Sequence, residues 1–304
     1  MTLWLDLFTL YPWLFLLLTG LTGLILGSFL NVVIHRLPIM MEREWRAECS
    51  EFLAEDGSAT APSPARAVPA QEEEPRYNLL VPGSACPHCK TAIPAWRNIP
   101  LLSYLLQKGR CHHCDKPISA RYPLVELATG VVTLGLAWLL GPTPEFLAAW
   151  VLTLGLIALA AIDMDTLLLP DQITLPLLWL GLLVNLSGLF VPLEDAVIGA
   201  AAGYLSLWII FQGFKLLTGK EGMGYGDFKL LALFGAWFGW QCLLTVMLIA
   251  SFGGALFGIT MIVSGKLNRE NPMPFGPWIA FGGFVYLCFG QQLVAWYLTR
   301  MVGL

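Results

Sequence analysis

Charge is what this sequence has least of. Asp, Glu, Lys and Arg make up 12% of its 304 residues, about half the quarter that soluble domains carry. A basic excess is missing too. The 17 Lys and Arg stand against 21 Asp and Glu, a formal net charge of −4, so there is no broad positive field for phosphates and no case for a nucleic-acid binder. What fills the chain is apolar: 57% of it is hydrophobic, which excludes an ordinary soluble globule and a disordered chain. The composition is that of an all-α polytopic membrane protein.

A helix needs about 20 apolar residues to cross the hydrocarbon core. Residues 7–34 contain no charged side chain and supply the first crossing. No Lys or Arg precedes them and their apolar run exceeds that of a secretory signal. Further spans are expected at 124–140, 146–162, 173–190, 196–214, 229–240, 241–264 and 277–298, about eight transmembrane helices in all. Three parts follow: 1–38 with the first helix, a loop over 39–123, and a transmembrane domain over 124–304. With the amino terminus outside, residues 35–123 are cytoplasmic and hold eleven Lys and Arg; Lys215, Lys220, Lys229, Lys266 and Arg269 also fall inside, and only Arg300 outside. Sixteen against one fixes the expected orientation by the positive-inside rule.

Within the loop, residues 42–55 are expected to form a separate amphipathic helix with Trp45, Cys49, Phe52 and Leu53 on one side, and 56–70, rich in Ala, Pro and Ser, a linker. Then come Cys86-Pro87-His88-Cys89, twenty-one intervening residues, and Cys111-His112-His113-Cys114. Two C-x-x-C pairs at this separation match a zinc ribbon, in which four thiolates surround one tetrahedral ion. A cytosolic location argues against disulfides. Sulfur fills all four places, so the metal is expected to be structural, with His88, His112 and His113 as bystanders. Cys242 and Cys288, inside spans, fit buried small apolar residues.

Ionisable groups in or beside a span are costly and mark function. Asp163, Asp165 and Asp171 lie where the third span ends, and Asp227 where the sixth begins. Two complete crossings separate Asp163 from Asp227, so both return to the cytoplasmic face despite 63 intervening residues. Asp171, after Pro170, fits a helix cap, and Asp227 would also serve as one. A cap does not explain Asp163, whose carboxylate meets the negative end of its helix. Two facing carboxylates suit aspartyl peptide hydrolysis, one taking a proton from water and the other donating to the scissile carbonyl. By their helix ends, Asp227 would be the initial base and Asp163 the initial acid. Gly222, Gly224 and Gly226 just ahead of Asp227 would let an extended substrate approach the backbone.

Together these residues resemble the type 4 prepilin peptidase family. The stretch from Gly27-Ser28-Phe29-Leu30-Asn31 to His35-Arg36-Leu37-Pro38 is similar to its amino-terminal signature. There follow the four cysteines, Arg121-Tyr122-Pro123-Leu124-Val125-Glu126, the Asp163 segment, Gly224-Tyr225-Gly226-Asp227-Phe228-Lys229 and Pro274-Phe275-Gly276-Pro277. The resemblance covers nearly the whole chain. It implies that Asp163, rather than Asp165 or Asp171, pairs with Asp227 as the catalytic dyad of an inner-membrane endopeptidase. It implies as substrates type 4 prepilins and type II secretion pseudopilins, cut behind a short basic leader at the cytoplasmic face. It further implies that the new amino terminus is methylated from S-adenosylmethionine. No nucleotide-binding loop is recognisable, so the methyl-donor site is unassigned, expected near the amino-terminal signature and the cysteine loop. Asp165, Asp171 and Glu221 would attract the basic leader. The competing expectation is a non-catalytic scaffold or transporter with a zinc docking loop. Another G-x-G-D protease, of preflagellin or presenilin type, is disfavoured by the four cysteines.

Overall fold

The computed structural model describes residues 8, 10–55, 77–220, 222–265, 273–297 and 299–300. In them the apolar segments form eight long helices: α1 (Pro12–Glu55), α2 (Arg121–Leu140), α3 (Pro144–Thr166), α4 (Asp171–Val184), α5 (Leu193–Thr218), α6 (Tyr225–Phe238), α7 (Gln241–Val263) and α8 (Gly276–Tyr297). No β-strand occurs among the described residues, only two isolated bridges in the cysteine loop. The all-helical membrane architecture expected from composition is therefore present. α1, α2, α3, α5 and α7 are each long and apolar enough to cross a bilayer, whereas the apolar parts of α4 and α8 are shorter. α6, at 14 residues, extends only about 21 Å.

α4 ends at Val184, short of the expected 190, and two further differences from expectation bear on the site. α6 begins at Tyr225, ahead of the expected 229, with Gly226 in its first turn and Gly224 as its extended N-cap, while Gly222 stays outside the helix. α1 runs unbroken for 44 residues through Pro38, about 66 Å and roughly twice the hydrocarbon thickness. Residues 42–55 are thus its projecting end and not a separate helix. Trp45, Phe52 and Leu53 there are exposed, while Arg46 and Glu42 pair at 2.5 Å one turn apart, a spacing that supports a solvated helix. The expected linker at 56–70 lies outside the described residues.

α6 is the centre of the bundle. Every residue from Asp227 to Phe238 except Lys229 is buried, and α4, α5, α7 and α8 pack around it; a helix apolar on all sides belongs in such a place. The α5–α6 contact is close because glycines line it. A Cβ on Gly199 would stand 2.5 Å from the Gly235 carbonyl oxygen, and one on Gly203 2.8 Å from that of Leu231. This is a small-xxx-small face, which membrane helices use to bring backbones together. Buried polar groups brace the far end: Asn185 Nδ2 donates to the carbonyls of Ala236 and Trp237 at 3.0 Å each, and Trp237 Nε1 donates to Leu177 O at 2.8 Å. α1 packs mainly on α2, and α3 joins this pair to the α4–α8 group. The last turn of α3 and the first turn of α6 lie at the same end as the cysteine loop.

Candidate active site and metal centre

Asp163 sits in the last turn of α3, whose C-cap is Leu167 in a left-handed conformation, its N–H returning to Asp163 O. Asp227 sits in the first turn of α6 behind an extended Gly224. Both are buried, 5% and 8% exposed, and Asp163 lies close enough for its charge to bear on Asp227. A chain of short contacts links them. Asp163 Oδ2 accepts the Gly276 N–H at 3.0 Å. A Cβ on Gly276 would stand 2.7 Å from that same oxygen and 3.1 Å from Leu169, and one on Gly226 would stand 2.8 Å from Leu169. The start of α8 and Leu169 thus wedge the two acidic helix ends together.

Gly276 has no role assigned from sequence; only its place in Pro274-Phe275-Gly276-Pro277 marked it. Its N–H is one of the unpaired donors of a helix N-terminus, a natural carboxylate partner. Asp163 consequently meets the negative end of α3 and the positive end of α8 together. The acid–base division drawn from the ends of α3 and α6 therefore has a second helix end acting on Asp163.

The other two carboxylates have different partners. Asp165 pairs with Arg121 at 2.5 Å. Asp171 does not cap α4, where Pro170 takes the cap position; it binds Lys229 Nζ at 2.6 and 2.8 Å. Both acids expected to attract a basic leader already face a cation, and Glu221 lies outside the described residues. The glycines also separate by role. None of Gly222, Gly224 and Gly226 has a positive φ. Gly222 makes room for Phe214 and Gly226 for Leu169, while a Cβ on Gly224 would meet nothing within 4 Å. Beside Gly224, extended backbone stands open.

The cysteine loop is one turn used twice. Cys86 N–H donates to Thr91 O at 3.0 Å, Lys90 N–H to Cys86 O at 2.9 Å and Ile93 N–H to Ser84 O at 2.7 Å. The same three bonds recur 25 residues on, from Cys111 to Lys116 at 2.9 Å, Asp115 to Cys111 at 2.9 Å and Ile118 to Gly109 at 2.7 Å. Lys90 and Asp115 both have φ of 57°. All four sulfurs lie within 4.8 Å of one another, with Cys86 and Cys114 3.8 Å apart. A tetrahedral ion with Zn–S of about 2.3 Å requires sulfurs roughly 3.8 Å apart, so the set fits. The Thr91 hydroxyl and backbone lower the Cys89 thiol to about 6, favouring the thiolate that binds metal. His88, His112 and His113 do not join the cluster. Cys242 is a buried small side chain donating to Gly239 O at 3.1 Å.

Comparison with known proteins agrees with this layout. The model of the bacterial peptidase A24 N-terminal domain matches residues 21–140 and that of the type IV leader peptidase family matches residues 150–259. A prepilin leader peptidase/N-methyltransferase of Aeromonas salmonicida (strain A449) is 54% identical over 302 residues, 99% of this chain and 100% of that protein. A protein of the same name from Pseudomonas aeruginosa is 50% identical over 97% of both chains. Another, from Burkholderia pseudomallei (strain 1026b), is 54% identical over 88% of this chain and 83% of its own. No solved structure gives a significant match. With whole-length relatives at this identity and both family models matched in order, the chain belongs to the type IV leader peptidase family.

Proposed function

We propose that this protein is an inner-membrane aspartic endopeptidase that removes the basic leader of type 4 prepilins and type II secretion pseudopilins at the cytoplasmic face, then methylates the new amino terminus from S-adenosylmethionine. The observation that carries the peptidase half is the buried Asp163–Asp227 pair at one end of the bundle, held through Gly276, Leu169 and Gly226. One carboxylate takes a proton from water as its oxygen attacks the scissile carbonyl; the other, protonated, donates to the carbonyl oxygen. Collapse of the tetrahedral adduct releases the amine, which takes a proton from the pair. The two acids act as one unit sharing a proton. The substrate lies extended along Gly224, where backbone is open and no side chain intervenes.

Methyl transfer is supported by the names of the full-length relatives. In it the lone pair of the unprotonated amine bonds to the methyl carbon as the sulfur–carbon bond breaks, and the surplus amine proton passes to water. Cys86, Cys89, Cys111 and Cys114 would hold one zinc ion, which supplies a cross-link between the two knuckles and has no open position for chemistry.

Co-expression with a prepilin, followed by intact mass of the product, tests both activities: loss of the leader reports cleavage, and gain of one methylene reports methylation. Asp163→Asn and Asp227→Asn should each lower cleavage by at least about a hundredfold in protein that still inserts and folds. Wild-type processing by either variant would instead favour a non-catalytic scaffold.

A further inference from the structure

A cavity of about 440 Å³ lies between α1, the cysteine loop and the start of α2, and neither Asp163 nor Asp227 lines it. Its volume falls in the range of small-molecule sites, about 300–1,000 Å³. Four buried polar side chains line it: Asn31, Arg36, Ser103 and Glu126. Arg36, 9% exposed, spends Nη1 on the carbonyls of Asn78 and Leu79, at 2.9 and 3.5 Å. Glu126, 8% exposed, spends Oε2 on the Leu101 N–H at 2.9 Å. Neither forms a salt bridge with the other or with any charged side chain among the described residues. Glu126 is met by a backbone N–H, and Arg36 by backbone carbonyls and by the Tyr77 ring, whose centroid lies 5.7 Å from the guanidinium carbon. Two such groups of opposite formal charge, buried on one cavity without a charged partner, are costly unless a ligand completes them.

The wall is also strained. Leu101 has φ 58° and ψ −48°, and Leu102 N–H reaches back to Pro100 O at 2.6 Å, a tight γ-turn that non-glycine residues seldom adopt. The Glu126 carboxylate holds this turn, and strain retained by a buried group is a mark of a working site.

We propose that this cavity binds the methyl donor, with Arg36 taking the carboxylate of its amino-acid moiety and Glu126 its ammonium or ribose hydroxyls. This rests on the methyltransferase half of the proposed function. A zwitterion carrying a nucleoside needs a cation, an anion and neutral hydrogen-bonding groups in one enclosure, and Arg36, Glu126, Asn31 and Ser103 supply them. A guanidinium suits a carboxylate because its fork accommodates both oxygens. Position suits the reaction too. The α1 face beside Arg36 buries Leu30, Val33, Ile34 and Leu37 in one cluster with Ile162, the neighbour of Asp163, so the two sites share a wall.

The test is direct binding to purified full-length protein. S-adenosylhomocysteine should bind wild type, and 5′-methylthioadenosine, which lacks the amino-acid moiety, more weakly. Arg36→Gln should weaken S-adenosylhomocysteine by at least about tenfold and leave methylthioadenosine unchanged. Equal loss of both ligands, or loss of neither, overturns the assignment. Should Arg36→Gln not fold, ultraviolet cross-linking of S-adenosylmethionine to wild type decides: adducts are expected on 28–36 and 84–126, and adducts only elsewhere overturn it. If wild type methylates a prepilin yet fails these tests, the cavity assignment alone falls; if it neither binds donor nor methylates, the methyltransferase reading falls with it.

Discussion

At the scale of single residues, the site depends on what glycines leave out. Gly276 gives Asp163 its only backbone donor among the described residues, and any Cβ there would crowd the same oxygen. Gly276→Ala should therefore displace the carboxylate and lower kcat for leader cleavage by on the order of a hundredfold, with KM little changed. Steady-state kinetics on a leader peptide would check it. Gly224→Ala meets no protein atom, so it should leave the fold intact and raise KM for an extended substrate. Asp163 and Asp227 were legible as candidates because a carboxylate at a membrane-helix end has few structural excuses. The Gly276 contact was not, since 112 residues of chain separate it from Asp163 and nothing in local spacing connects them. Nor were the partners of Asp165 and Asp171, because Arg121 and Lys229 arrive from other helices.

Among the elements, α6 carries Asp227 and is positioned by backbone contact rather than by side-chain interlock. A Cβ on Gly235 would strike the Gly199 carbonyl, so Gly235→Ala should force α5 and α6 apart. Overpacking of this kind costs about 1–3 kcal/mol. A lower thermal midpoint in detergent, together with reduced cleavage, is the expected outcome. An unchanged midpoint would mean the helices separate freely. The helices themselves were largely readable, including the break between α6 and α7 at Gly239 and Trp240. The continuity of α1 was hidden by Pro38, which in most sequences ends a helix; within an apolar bundle its missing N–H is tolerated. The cavity beside α1 was equally hidden, because its walls come from two separated stretches of chain, 28–36 and 84–126.

For the whole molecule, the charge asymmetry predicts that the cysteine loop faces the cytoplasm. Cys49, on the projecting end of α1, is an exposed natural reporter. A membrane-impermeant thiol reagent should leave Cys49 unmodified in intact cells and label it after permeabilisation. Metal analysis of protein prepared without chelator should give one zinc per chain; stripping it should release the two repeated turns from each other and raise protease sensitivity between 77 and 120. Enclosed by α4, α5, α7 and α8 and roughly a third shorter than the hydrocarbon is thick, α6 does not reach from face to face, and its first turn, with Asp227, is expected to meet water within the thickness of the membrane. A peptide whose tail is still hydrated and whose stem is still in lipid would be severed at that shoreline, without either half having to leave its own solvent.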